Sequence, residues 1–358
     1  MNATAQLPVS SPALPRRSLE TALAVLLAVS IALVFWSQQR YPALLKKMHS
    51  GTAIQVKGAI SFDALLKTTP QMPLPQRVLR TGVNWLYTNR FGMYFALPFG
   101  AAMMTLFAAS ATPRRFNSAA GNIACGAIAG APLGVCTNCA TPIGQSLLIG
   151  GASTRLTVAA MISSPSFNPV VLAMAFVLFP LPIALARVIV PLLLLLALPL
   201  LVAENRPTVR PLTIPLEVPP LPQRLFAFAT VFFRNLLRLT LATLPWMVLA
   251  AFIGALAAEL IPSYATHVPV SALVVVVVAI FGTVLPVPMA LDVALAFLLY
   301  HAGVPTPYVV ALLCTLGPVS VYSISALSKQ LGRGTGFGLT GATAFLGAVA
   351  GLIALYHR

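Results

Sequence analysis

The sequence predicts an all-α polytopic membrane protein made of two inverted repeats, each carrying a broken or re-entrant helical hairpin. Three observations predict it. Of 358 residues, 58% are hydrophobic and only 8% charged, where a soluble domain carries roughly a quarter charged. Apolar stretches recur along the chain at about the 20 residues a helix needs to cross the bilayer core. Two further apolar regions, 118–150 and 270–302, are interrupted near their middles by Gly130-Ala131-Pro132-Leu133-Gly134 and Val284-Leu285-Pro286-Val287-Pro288.

Taken in order, residues 1–18 read as a cytoplasmic tail and 19–36 as the first transmembrane helix. That helix follows Arg16 and Arg17 but precedes Ser37-Gln38-Gln39-Arg40, with no small-residue cleavage site, so an uncleaved signal anchor is expected. Residues 37–89 read as an extracytoplasmic loop, 90–202 as the first repeat, 203–225 as a Pro-rich cytoplasmic linker and 226–358 as the second repeat. Within the repeats, full spans are expected at 90–110, 157–179, 181–202, 226–260, 306–327 and 335–356. Each half of the two interrupted regions is about 15 residues, which suits a hairpin whose tip stops near the midplane.

The net charge is +16, from 22 Lys and Arg against 6 acidic residues. The basic residues fall in loops between apolar spans, which points to the lipid bilayer as partner and not to nucleic acid. With the N-terminus inside, Arg114, Arg115, Arg155, Arg206, Arg210, Arg224, Lys329 and Arg333 all lie on the cytoplasmic side. The loop 37–89 departs from that pattern, with Arg40, Lys46, Lys47, Lys57, Lys67, Arg77 and Arg80 outside. Loops of this length translocate with less regard to charge. The localisation that follows is a multi-pass protein of the bacterial inner membrane.

The two halves align at an offset of 153, which puts Gly150 on Gly303 and Pro165 on Pro318. Between matching spans the chain crosses the membrane an odd number of times, so the second copy is inverted. Paired broken segments in inverted repeats are a pattern of secondary transporters, whose sites lie at the midplane between repeats.

The motif that carries most chemistry is Val135-Cys136-Thr137-Asn138-Cys139-Ala140-Thr141-Pro142, at the tip of the first hairpin. Thiolates are soft ligands for Cu(I), Zn and similar ions, and a two-residue gap lets both sulfurs reach one ion or form one disulfide. A single Cys-x-x-Cys is half a tetrahedral zinc site, so a closed structural zinc is not expected. The bland alternative is that these are small buried hydrophobes. In the alignment Cys136 falls on Met289 and Cys139 on Asp292, the acidic residue of the second hairpin. A carboxylate at that depth is either functional or paired with a backbone amide or an Arg. Arg187 is one candidate partner, unless it snorkels to the outer interface. Ser163-Ser164-Pro165-Ser166-Phe167-Asn168-Pro169 reads as a cavity wall, because each proline removes a donor and frees upstream carbonyls. Its alternative is helix packing by small residues. No Walker loop or dinucleotide fingerprint is present, and no cofactor is expected.

The stretch Ala131-Pro132-Leu133-Gly134-Val135-Cys136-Thr137-Asn138-Cys139, then Pro142, Gly151-Ala152 and Ser164 to Pro169, resembles the bacterial predicted permeases that include the organoarsenical (methylarsenite) efflux permeases. The match covers about 40 residues, with Cys-x-x-Cys where that family has Cys-x-Cys. The resemblance implies a permease fold and puts Cys136 and Cys139 in the place of the family's substrate-binding cysteines.

The expected function is therefore a non-enzymatic inner-membrane permease for a small thiophilic solute, such as a metalloid. Cys136 and Cys139 would be soft ligands, metal-binding if the solute is a soft metal or metalloid. Thr137, Asn138, Ser164, Asn168 and Met289 would be contacts, and Asp292 the coupling or charge-compensating group. Two other readings stay open: a transmembrane thiol-disulfide electron conduit, or a membrane assembly factor whose loop 37–89 docks a periplasmic protein. A homo-oligomer is compatible with all three.

Overall fold

The computed structural model describes residues 18–42, 45, 65–69, 71–109, 116, 118–149, 151–204, 220–265, 269–287, 291–301 and 303–356. Regular structure among them is helical throughout. Four helices are long and apolar enough to cross a membrane, five if one bent pair counts as a single span, which fits a multi-pass membrane protein.

α1 (Ser18–Phe35) continues through one π turn, Trp36–Arg40. α2 (Leu74–Ala109) begins at Leu74, so the expected loop 37–89 is corrected at both ends; residues 46–64 of it lie outside the described set. The reason is a helical face that a hydropathy scan dilutes with polar neighbours. Gly82 and Trp85 pack on Phe252 and Gly254 of α8 (Leu221–Ala265), and Arg77 pairs with Glu259 at 2.8 Å. α8 likewise starts inside the expected linker, and its Arg224 pairs with Glu20 of α1 at 2.9 Å. Residues 205–219 of the linker and the tail before Ser18 lie outside the described residues.

The region expected to form the first hairpin holds α3 (Ala119–Gly130), a short 3-10 turn at Ala131–Leu133, and α4 (Thr137–Ile149). The expected span 157–179 is broken into α5 (Thr154–Ser166) and α6 (Pro169–Leu178), bent by 42°. Phe167 and Asn168 form the break, where Pro169 lacks an amide hydrogen and the Asn168 side chain accepts from Val170 N–H at 3.0 Å. α7 (Leu181–Leu201) closes this half.

After α8 come α9 (Ala272–Val284), α10 (Leu291–His301), α11 (Thr306–Thr315), α12 (Val321–Leu331) and α13 (Arg333–Tyr356). The expected continuous span 306–327 is thus corrected to two helices, parted at 316–320. Gly317 and Pro318 interrupt the backbone ladder, and Ser320 starts a new helix with a capping box to Ser323.

Two local motifs recur. Ser118 caps α3 and Ser271 caps α9, each accepting an N–H three residues on. Gly151 and Gly303, both at φ +83°, end α4 and α10 with the same pair of bonds: Gly151 to Leu148 and Ala152 to Leu147 (both 3.0 Å), and Gly303 to Tyr300 (3.3 Å) and Val304 to Leu299 (3.0 Å). This closure needs a left-handed residue, which glycine adopts without a Cβ penalty.

The helices approach closely through small residues, as membrane helices do where there is no hydrophobic drive between them. Gly126 and Gly130 of α3 lie directly on the carbonyls of Leu156 and Ala160 in α5. A methyl at Gly126 meets rigid backbone, so Gly126→Ala is expected to cost about 1–3 kcal/mol. Gly341, on α13, has open space and should tolerate alanine or gain slightly. Thermal unfolding of the two variants in detergent checks this: equal melting temperatures would refute the packing account.

Candidate functional site

The tip of the first hairpin is buried among four other elements. Cys136 and Cys139 are 5% and 1% exposed, with their sulfurs 3.3 Å apart and both thiols free. The backbone sets this spacing. The Cys136 carbonyl accepts the N–H groups of Cys139 (3.0 Å) and Ala140 (2.8 Å), so one turn at the start of α4 brings the two side chains together.

The last turn of α5, just before its break with α6, holds the tip. Val135 N–H donates to Ser164 Oγ at 3.2 Å, and the Ser164 hydroxyl donates to the Val135 carbonyl at 3.3 Å. The break between α11 and α12 holds it from the other half of the chain. Thr137 Oγ1 donates to the Gly317 carbonyl, and the Ser320 hydroxyl donates to Asn138 Oδ1 at 3.0 Å. A cleft beside Cys136 and Asn138 is lined by Trp85, Leu86, Met93, Met247, Ala251 and Pro286, so both hairpins contribute to its wall.

Of the residues singled out from the sequence, Cys136, Thr137, Asn138, Cys139 and Ser164 come together at this tip, and Asn168 is buried beside Gly134. Met289 lies outside the described residues. Asp292 is not among the residues lining the cleft. It pairs with Arg187 of α7 at 2.7 Å, with Arg187 fully buried and Asp292 4% exposed. That resolves Arg187: it points inward and does not snorkel. Its guanidinium occupies the space a side chain at Gly317 would need. A chain of contacts therefore runs from Thr137 through the Gly317 backbone to Arg187 and Asp292, linking the two hairpins through the second break. Asp292 Oδ1, Arg187 Nε and Arg187 Nη1 have no hydrogen-bond partner among the described residues.

Three site residues were missed from the sequence. Met93 and Met247 look like ordinary apolar positions in long spans. Arg40 looked like a loop charge, yet it is only 8% exposed, with its guanidinium 4.5 Å from the centre of the Phe35 ring. The π turn carries it to the hairpin tip, where Trp36 also donates to the Pro132 carbonyl. Gly134 is left-handed at φ +58°, a conformation glycine adopts freely, and lies against Arg40 and Asn168. Among the described residues there is no group of three or more His, Cys, Asp or Glu able to hold a metal ion.

Comparison with protein-family profiles, with characterised proteins and with solved structures gave no match.

Asp292→Asn leaves the Arg187 charge buried and unbalanced. The expected cost is ~3–5 kcal/mol, and Arg187→Met added to it should recover much of the loss, because the lone charge is then gone. Thermal unfolding of the single and double variants tests the pair. A single variant as stable as the wild type would show that the charges are met by water.

Proposed function

We propose that the chain is an inner-membrane permease that carries a small thiophilic solute by alternating access, with the Cys136–Cys139 pair as the soft ligand. The observation that carries this reading is the convergence at one buried point. A hairpin tip bearing two thiols 3.3 Å apart is held by the broken segments of both halves of the chain.

The halves are read as inverted repeats. The order α2 to α7 recurs as α8 to α13, the serine caps of α3 and α9 match at the offset of 153, and the glycine closures of α4 and α10 fall within one residue of it. Interrupted helices recurring in the same order suit a site between repeats that opens to each side in turn. Thr137, Asn138 and Ser164 fix the tip, and a solute binding the sulfurs would pull on both breaks through them. Asp292, paired with Arg187, serves as charge compensation and ties the second hairpin to the second break. The electron-conduit reading expects a reactive cysteine in each half. The position matching Cys139 holds Asp292, and Cys314 is packed in the apolar core of α11.

Full-length protein in liposomes, given Ag+, Cd2+ or phenylarsine oxide, is expected to move at least one of the three. Cys136→Ser and Cys139→Ser should each lower that rate by roughly tenfold or more, because a hydroxyl is a poor ligand for a soft ion. Wild-type rates in both variants would place the site elsewhere.

Inversion is tested separately with an impermeant maleimide. Phe116→Cys, beside the first hairpin, should react from the cytoplasmic side and Val270→Cys, beside the second, from the opposite side; both are exposed positions. Reaction of both from one side would contradict the topology.

A further inference from the structure

We infer that Met93 and Met247 are further ligands of the solute, and that with Cys136 they form a three-sulfur site for a compact soft ion of the Cu(I) or Ag(I) type. This rests on the reading of the hairpin tip as the place where the solute binds; it adds the two thioethers and, through them, the class of solute.

Three observations bring these residues to one place. Met93, Cys136 and Met247 line the same cleft. Met247 is buried in the apolar cluster that holds Cys136 and Cys139, and Met93 packs against that cluster. α2 lies directly on the sulfur pair: a Cβ added at Gly92, one residue before Met93, would stand 3.2 Å from Cys139 Sγ. Cys139 is not among the residues lining the cleft, so Cys136 presents its sulfur there and Cys139 backs it at 3.3 Å.

The two methionines come from opposite halves of the chain. α2 and α8 open the two halves, and Met247 falls one residue from the position that the offset of 153 assigns to Met93. A site between repeats is flanked by elements of both, and here both elements offer a thioether.

The chemistry of the wall then narrows the solute. Thioethers are soft, uncharged donors that suit Cu(I) and Ag(I) and bind harder ions poorly. Among the described residues no three His, Cys, Asp or Glu gather, so the four-ligand shell that structural zinc takes has no counterpart. Asn138, on the same wall, already gives its Oδ1 to the Ser320 hydroxyl. Size agrees. The cleft has a cavity volume of about 20 Å³, room for about one water-sized body. A bare ion fits it, and a metalloid carrying an organic group does not. On binding, Cys136 gives up its Sγ proton, while the two thioethers donate lone pairs with no proton exchanged.

The test uses purified full-length protein in detergent, labelled with selenomethionine, loaded with one equivalent of Ag+ and measured by X-ray absorption at the silver edge. The inference predicts selenium beside sulfur in the nearest shell. The selenium should vanish in Met93→Leu/Met247→Leu, whose leucines keep volume and apolarity. Sulfur without selenium, or selenium that survives the double variant, overturns the inference and leaves the cysteine site standing. A shell without sulfur overturns the cysteine reading as well. The wild-type spectrum decides even where the double variant does not fold. In unlabelled protein, the double variant should bind Ag+ roughly tenfold or more weakly and leave Cd2+ binding nearly unchanged, the binding of Cys136→Ser/Cys139→Ser being subtracted. Equal changes for the two ions would overturn the inference.

Discussion

A guanidinium out of reach of water must be balanced, and much of this structure is arranged around two of them. Arg187 lies fully buried between α7, the second hairpin and the break before α12. Its presence accounts for Gly317, where any side chain would collide with it, and for Asp292 in an otherwise apolar helix. Arg40 imposes a similar demand at the first hairpin. There the face of the Phe35 ring lies 4.5 Å from the guanidinium, and Gly134 and Asn168 lie beside it. In both places a charge expensive to bury fixes how a hairpin tip sits against its surroundings.

The two halves are alike in build and unlike in chemistry. Each has a capped short helix, an interruption, a further helix closed by a left-handed glycine, and a pair of helices parted by a break. One tip carries a hard, self-neutralised ion pair; the other carries a soft sulfur pair. Under the proposed function this division assigns structural anchoring to the second half and solute chemistry to the first. Irregular backbone at membrane depth is tolerated only where protein or a cavity surrounds it, and the breaks at Asn168 and Ser320 are buried. The π turn that continues α1 takes part directly by bringing Trp36 and Arg40 to the first tip.

Much of the fold was legible in the sequence because glycine and proline punctuate apolar runs visibly. The interruptions after Leu133 and Val284 and the Asn168-Pro169 break follow from residues whose local chemistry forces them. The Gly317-Pro318 break was visible as a motif, but the hydropathy around it is continuous, so 306–327 read as one span. The first turns of α2 escaped for the opposite reason: Gln76, Arg77, Arg80 and Asn84 hide a face that only packing on α8 reveals. Arg187 was left between two readings, because its partner lies more than a hundred residues away. Arg40, Met93 and Met247 could not be found by spacing. They converge on the cleft through tertiary packing alone, and nothing in a linear pattern separates a buried arginine after a helix from a loop charge.

The central claim is that the sulfur pair at the first hairpin tip is where the solute binds. X-ray absorption at the silver edge, on full-length protein loaded with one equivalent of Ag+, addresses it directly. The account predicts a nearest shell made of sulfur, which loses sulfur when Cys136→Ser or Cys139→Ser is loaded the same way. A shell of oxygen or nitrogen, or a sulfur shell unchanged by either substitution, would contradict it.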